Sequence, residues 1–281
     1  MNRHTIKAHR LQLDGEAVEY QASPNRSGII QPEGIILHDT AGRLDKGNSI
    51  GWFLKKEAKA SAHLVVERDG SVTQMVPFNI KAWHAGKSML NGRNGCNGFS
   101  IGIEIVNPGK MEQVEGGFQP WFKKTYTQAD GEIRAASSRF HGDGYWMDYT
   151  EAQIESVSGI CCALAARYNM SFIEPHWLVS PGRKKDTNPL FPLDNIRNRA
   201  LGRADDADET DETNERKVLA TSLNVRGGAG VEFEKMEWGP LKGGAVVQLL
   251  DQDVDEQGRI WSFVSLDGNN GWVCDKYLTV S

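Results

Sequence analysis

Residues 204–215 read Ala-Asp-Asp-Ala-Asp-Glu-Thr-Asp-Glu-Thr-Asn-Glu, seven carboxylates in twelve positions with no apolar side chain larger than alanine. Like charges at this density repel one another and leave nothing to bury, so the run reads as an extended linker. It cuts the 281-residue chain into parts that must each build their own core. The expected division is 1–203, a linker over 204–216, and 217–281. From Lys217 onward short β-prone segments alternate with glycine turns, among them Leu223-Asn224-Val225-Arg226, residues 245–250, residues 261–264 and Gly271-Trp272-Val273. This texture predicts a small all-β barrel of ~60 residues, a size that can fold alone.

The larger part mixes periods. Residues 1–34 predict a lead-in hairpin or arm. Gly34-Ile35-Ile36-Leu37 is a continuous apolar run of the fully buried strand type, and it ends in His38-Asp39-Thr40-Ala41-Gly42. Asn48 or Ser49 would cap a helix through about Lys59, with Ile50, Phe53, Leu54 and Ala58 on one face. Residues 62–77 predict two strands joined at Asp69-Gly70, a strong hairpin signal. Ile101, Ile103 and Ile105 alternate with Ser100, Gly102 and Glu104, so Glu104 faces away from the apolar side, and its small neighbours would leave room for a ligand. No period holds from Asn107 to about Met147, which predicts a long aromatic loop, either a wall over a cleft or a purely structural cover. Thr150 and Gln153 form a capping box that opens a helix to about Asn169, with an apolar stripe of Ile154, Val157, Cys161, Leu164 and Tyr168. A short strand near Phe172-Ile173 follows, and a last helix spans about Leu193 to Leu201.

Chemistry concentrates in residues 175–186, Pro-His-Trp-Leu-Val-Ser-Pro-Gly-Arg-Lys-Lys-Asp. Proline and glycine mark the segment as a loop, and its Pro181-Gly182 turn could bring His176 and Asp186 to a common centre. Two such groups are part of a catalytic zinc site, which commonly takes three protein ligands and leaves a fourth position open. His38, at the end of its strand, is the candidate third ligand.

The net charge of -5, with no basic run longer than three residues, argues against nucleic acid as a partner. No apolar stretch follows the basic first residues, so neither a secretory signal nor a membrane span is expected, and the chain is expected to be cytoplasmic as synthesised. Cys96, Cys161, Cys162 and Cys274 lack metal or redox spacing and are expected to be reduced and structural. No heptads demand an oligomer, so a monomer is expected.

Six ordered segments now coincide: residues 37–42, Ala62-His63-Leu64-Val65, Asp69-Gly70, Trp83-His84-Ala85-Gly86, residues 100–104 and residues 176–186. Together they resemble the zinc-dependent N-acetylmuramoyl-L-alanine amidases of the amidase-2 family, whose fold is shared with phage amidase-type lysozymes and peptidoglycan-recognition proteins. The resemblance implies an α/β fold with a central mixed β-sheet flanked by helices. It implies one zinc ion held by His38, His176 and Asp186, Glu104 as general base, and Lys184 beside the developing oxyanion. His63, Trp83, His84 and Arg183 are candidates for substrate contact, with His63 and His84 equally open to a structural or outer-shell role. Residues 217–281 resemble bacterial SH3-like domains. The implied reaction is hydrolysis of the amide between N-acetylmuramic acid and L-alanine in peptidoglycan or muropeptides. The competing expectation is a non-catalytic peptidoglycan-binding or sensing protein, and the complete ligand set argues for the enzyme.

Overall fold

A computed structural model of the chain describes residues 3–90, 92–138, 140–202, 215–267 and 269–280. The chain divides into two compact units, 1–204 and 205–281. Of the expected linker, residues 204–214 lie outside the described residues.

The first unit is built on a six-stranded mixed sheet in the order Phe172–Pro175, Gly34–Asp39, Ser100–Ile105, Leu64–Val66, Val72–Gln74, Glu19–Tyr20. The first four run parallel, and Leu64–Val66 turns back antiparallel to Val72–Gln74. That reversal is the hairpin expected at Asp69-Gly70, where Gly70 adopts φ +79°, a conformation open to glycine at little cost. The arm begins as the antiparallel pair His4–Lys7 and Arg10–Leu13.

Strand alternation gives the sheet two unlike faces. Ile35, Leu37, Ile101, Ile103, Ile105, Leu64, Val66 and Ile173 point to one side and pack with Val157, Ile160, Cys161 and Leu164 of helix Glu151–Tyr168. The Thr150 hydroxyl accepts from the Gln153 amide, and the Gln153 side chain accepts from the Thr150 amide, so the capping box forms as expected. The other face carries Val65 against Ile50 and Phe53 of helix Asn48–Phe53, and toward its C-terminal end it turns polar. No helix among the described residues is long and apolar enough to cross a membrane.

Three expectations are corrected. Helix Asn48–Phe53 stops six residues short of Lys59 and is capped by Gly47, with no side-chain cap bond. The Ser23 hydroxyl takes the Phe53 carbonyl, and Asn25 takes those of Lys55 and Ala60, so carbonyls that a longer helix would use are already bonded. Residues 107–147 are not one loop: Met111–Val114, Gly117–Pro120, Ile133–Ala136 and Gly144–Met147 form a second antiparallel sheet around Met111, Tyr126, Ile133 and Met147. Its strands are four residues each, too short to show a period, and Trp146 and Met147 are buried side by side instead of alternating. Lastly, His176 does not sit in a loop but opens the one-turn helix His176–Val179, with Pro175 before it.

Among its described residues the second unit is β-structure apart from the short helical turn Asp275–Tyr277. Its five-stranded antiparallel sheet runs Asn269–Cys274, Ile260–Leu266, Val246–Val254, Glu215–Val218, Leu278–Val280. Val218, Leu223, Val225, Leu241, Val247, Val264 and Val273 form its own core, and Trp261 is buried.

Candidate metal centre

Parallel pairing places the polar residues. Glu104 stands opposite His38 in register, and Pro175 stands opposite Leu37, so His176 enters level with His38 as its strand ends. His38 and Glu104 therefore share the face turned away from helix Glu151–Tyr168. Asp186 returns to the same point because its carbonyl accepts from the Trp177 amide at 2.7 Å.

His38 Nδ1 lies 2.8 Å from His176 Nδ1 and 3.3 Å from Asp186 Oδ2, and His176 Nδ1 lies 2.9 Å from that same oxygen. The hydrogen bonds on the outer ring nitrogens assign the tautomers. His176 Nε2 is 3.1 Å from the Ala85 carbonyl, which only accepts, and 3.3 Å from Arg183 Nη2, which only donates; the tautomer that serves the closer carbonyl puts the proton on Nε2 and the lone pair on Nδ1, toward Asp186 and His38. His84 Nε2 is 3.4 Å from the Ser100 carbonyl, so His84 Nδ1 accepts from His38 Nε2 at 3.0 Å and leaves His38 Nδ1 unprotonated as well. Two imidazole lone pairs and one carboxylate thus converge, an arrangement that repels itself unless a positive ion sits among them. Tetrahedral zinc with bonds of about 2.0–2.1 Å sets its ligand atoms roughly 3.3 Å apart, close to the separations here. The donor set and its spacing fit a single zinc ion.

The electrostatics agree. Burial, with the neighbouring His176, lowers His38 to about 4, and burial likewise keeps His84 neutral. Glu104 is pushed well up by burial and by the charge of Asp186, while Lys184 pulls it down. Its Oε2 is buried with no hydrogen-bond partner. Such an atom is expensive to keep in a core, and it is free to take a proton. Lys184 lies near enough for its charge to act on both His38 and Glu104.

The remaining candidates separate. The space expected over Gly102 is filled by His84, since a Cβ there would stand 2.3 Å from the His84 ring. His84 thus braces His38 from behind, and its two ring nitrogens are occupied. His63 is wholly buried, with Nε2 on the Ile80 carbonyl at 2.9 Å and Nδ1 accepting from the Gly102 amide at 3.0 Å. This placement gives it no nitrogen for substrate. Arg183 spends Nη2 on the Ala85 and Lys87 carbonyls and the Ser180 hydroxyl, bracing the segment that holds His176. Trp83 Nε1 donates to the Ser27 hydroxyl.

Sequence reasoning passed over Asp39, Tyr149 and Asn188. Asp39 accepts from the Tyr149 hydroxyl and from the Asn188 amide, tying the chain just after Asp186 to the strand that carries His38. Burial raises the Asp39 carboxyl to about 8 against those hydrogen bonds. Its place beside His38 was the available signal.

A family model described as N-acetylmuramoyl-L-alanine amidase matches residues 29–189, more than half of the chain. The 1,6-anhydro-N-acetylmuramyl-L-alanine amidase AmpD of Citrobacter freundii is 36% identical over 148 residues, 51% of this chain and 57% of that protein. AmpD of Escherichia coli is 44% identical over 144 residues, 50% of this chain and 57% of that protein. The chain therefore spans a little over half the length of these relatives. Among solved structures, the amidase AmiD of E. coli in complex with anhydro-N-acetylmuramic acid-L-Ala-D-gamma-Glu-L-Lys matches with a TM-score of 0.47 at 22% identity, covering 72% of this chain and 67% of that one.

Proposed function

Because the chain belongs to the N-acetylmuramoyl-L-alanine amidase family, we propose that it hydrolyses the amide between N-acetylmuramic acid and L-alanine in peptidoglycan or its fragments. The observation that carries this reading is the convergence of His38 Nδ1, His176 Nδ1 and one Asp186 carboxylate oxygen beside a buried, unpartnered Glu104 oxygen. His38, His176 and Asp186 would hold one zinc ion, which when bound supplies Lewis acidity and acidifies water toward neutral pH. Glu104 takes a proton from the attacking water as the new carbon–oxygen bond forms. It returns that proton to the L-alanine nitrogen as the carbon–nitrogen bond breaks. A base raised by burial is better matched to a neutral operating pH than an ordinary carboxylate. Lys184 faces the charge that develops on the carbonyl oxygen, and removing such a donor costs on the order of 10²–10³ in rate. The Ala85 carbonyl, itself held by Arg183, accepts from His176 Nε2 and turns Nδ1 toward the metal.

The same reading takes 1–203 as the catalytic domain and 217–281 as a bacterial SH3-like barrel that holds the enzyme on wall material, supported by that unit's separate apolar core. The test is a digest of purified peptidoglycan with labelling of newly exposed amino termini. L-Alanine termini that vanish with a zinc chelator and return with added zinc are expected. Wall binding without new termini would replace the enzyme with a binding protein.

A further inference from the structure

One imidazole of the second sheet reaches into the frame of the metal centre. His141 lies between strands Ile133–Ala136 and Gly144–Met147 and is 3% exposed. Its Nε2 is 2.8 Å from the Thr187 carbonyl, which only accepts, so Nε2 bears the proton and donates. Its Nδ1 is 2.7 Å from the Ser138 hydroxyl, whose oxygen already accepts from the Phe140 and His141 amides and whose hydrogen therefore turns to the ring. Burial lowers the pKa of this ring, in keeping with a neutral form that has one N–H. The ring stands edge-on to Trp146 at 5.5 Å and to Trp177 at 5.8 Å between centroids.

These contacts fall on the chain neighbours of two metal-facing residues. Trp177 follows His176, and Thr187 follows Asp186. Lys185, on the other side of Asp186, donates from Nζ to the His141 carbonyl at 3.2 Å. The Trp177 amide donates to the Asp186 carbonyl at 2.7 Å, so His141, Thr187, Asp186 and Trp177 form a closed circuit. The Asp186 carboxylate itself meets only His38 and His176 among the described residues. Nothing beyond the other two ligands aims it, so its backbone must. A metal site tolerates ligand distances that vary by only about 0.2 Å, which makes the backbone bonds on either side of Asp186 decisive.

Resting on the metal-centre reading above, we propose that His141 is a positioning residue: its bond to the Thr187 carbonyl, made while the ring is wedged against Trp177, holds Asp186 against His176 as the third ligand. The second sheet thereby supports the metal centre and does more than cover it.

The test uses the full chain and competition for zinc with a chromogenic chelator. His141→Leu fills much of the space but donates nothing, and it is expected to weaken zinc binding by about 10–100-fold. His141→Gln carries an amide N–H to the place of Nε2 and is expected to stay within about threefold of wild type. In an Asp186→Ala background His141→Leu should cost less than about threefold, because a residue that acts through Asp186 has nothing left to hold there. A general loss of stability would not depend on Asp186 in this way. Unchanged affinity in His141→Leu, an equal loss in His141→Gln, or an equal loss without Asp186 overturns the proposal. If the wild type takes no zinc, the metal-centre reading fails, and hydrogen exchange in the zinc-free chain decides this one. Exchange at the Trp177 amide, taken relative to the Ile103 amide of the central sheet, is expected to quicken on the order of tenfold in His141→Leu and to recover in His141→Gln. An unchanged ratio overturns the proposal.

Discussion

Glu104, at the polar end of the central sheet, and Asp255, at a turn in the C-terminal unit, are each 9% exposed, and they are held in opposite ways. Asp255 accepts from the Gln257 and Arg259 amides, from Arg259 Nε and from Trp261 Nε1, all at 2.7–3.0 Å. Burial pushes its carboxyl up, yet those bonds, Trp261 foremost, bring it to about 2. Glu104 has a buried oxygen with no bond at all and is pushed well above the carboxylate range by burial first and by Asp186 second. Equal surface exposure thus accompanies opposite acidities: Glu104 lies deep at the end of the central sheet with no donor on one oxygen, whereas Asp255 lies at a turn with four donors aimed at it. Asp255 pins a turn. Glu104 destabilises its surroundings, a pattern that marks places where stability is traded for chemistry.

Replacing Glu104 is the most direct way to break this contrast. Glu104→Gln keeps the shape and removes the charge, and it is expected to lower kcat by about 10²–10⁴ while the melting temperature holds or rises. Calorimetry and turnover on one preparation check both halves. A lower melting temperature with activity retained would make Glu104 a second structural pin.

The contrast sharpens at two buried histidines. His84 spends its ring on His38, whereas His63 spends its ring on backbone groups of Ile80 and Gly102. His84→Ala is expected to weaken zinc binding by about 10–100-fold in competition with a chromogenic chelator, with part of the loss recovered in His84→Asn, whose amide oxygen can accept from His38. His63→Ala should instead lower the melting temperature and leave zinc affinity within about threefold of wild type. If both variants lose zinc equally, the line between support of the metal and support of the sheet is drawn in the wrong place.

Short-range patterns exposed the parts of this arrangement that they control. An apolar run ending in His38, an alternating strand ending near Glu104 and a capping box at Thr150 are local signals, and all three elements form. What stayed hidden depends on partners far apart in the chain. Tyr149 reaches Asp39 across 110 residues, and the Asn188 amide reaches it across 149. His84 fills the space over Gly102, so the gap that two small residues suggested is an internal contact. Residues 107–147 looked structureless because four-residue strands are fixed by pairs such as Met111 with Tyr145, and a period cannot show that pairing. The ligand atoms themselves, Nδ1 on both histidines, follow from bonds on the opposite ring nitrogens, which no spacing reveals.

The smallest expected effect tests the Asp255 side of the contrast. A carboxylate whose folded value of about 2 lies below its unfolded value of about 3.9 contributes stability that is fully present above the unfolded value. That contribution is lost as pH falls through the folded value, when the native carboxylate takes up its proton. Asp255→Asn keeps one acceptor oxygen but sets an amide nitrogen against the Arg259 and Trp261 donors. At pH 7 it is expected to lower the melting temperature of the C-terminal unit by on the order of 5 °C, with zinc affinity unchanged. Between pH 4 and pH 2 the wild-type and variant melting temperatures should converge, because the wild type loses what the variant already lacks. A gap that stays constant down to pH 2 would mean that packing of the turn, and not the charge on Asp255, holds it in place, and the opposition between the two carboxylates would then rest on Glu104 alone.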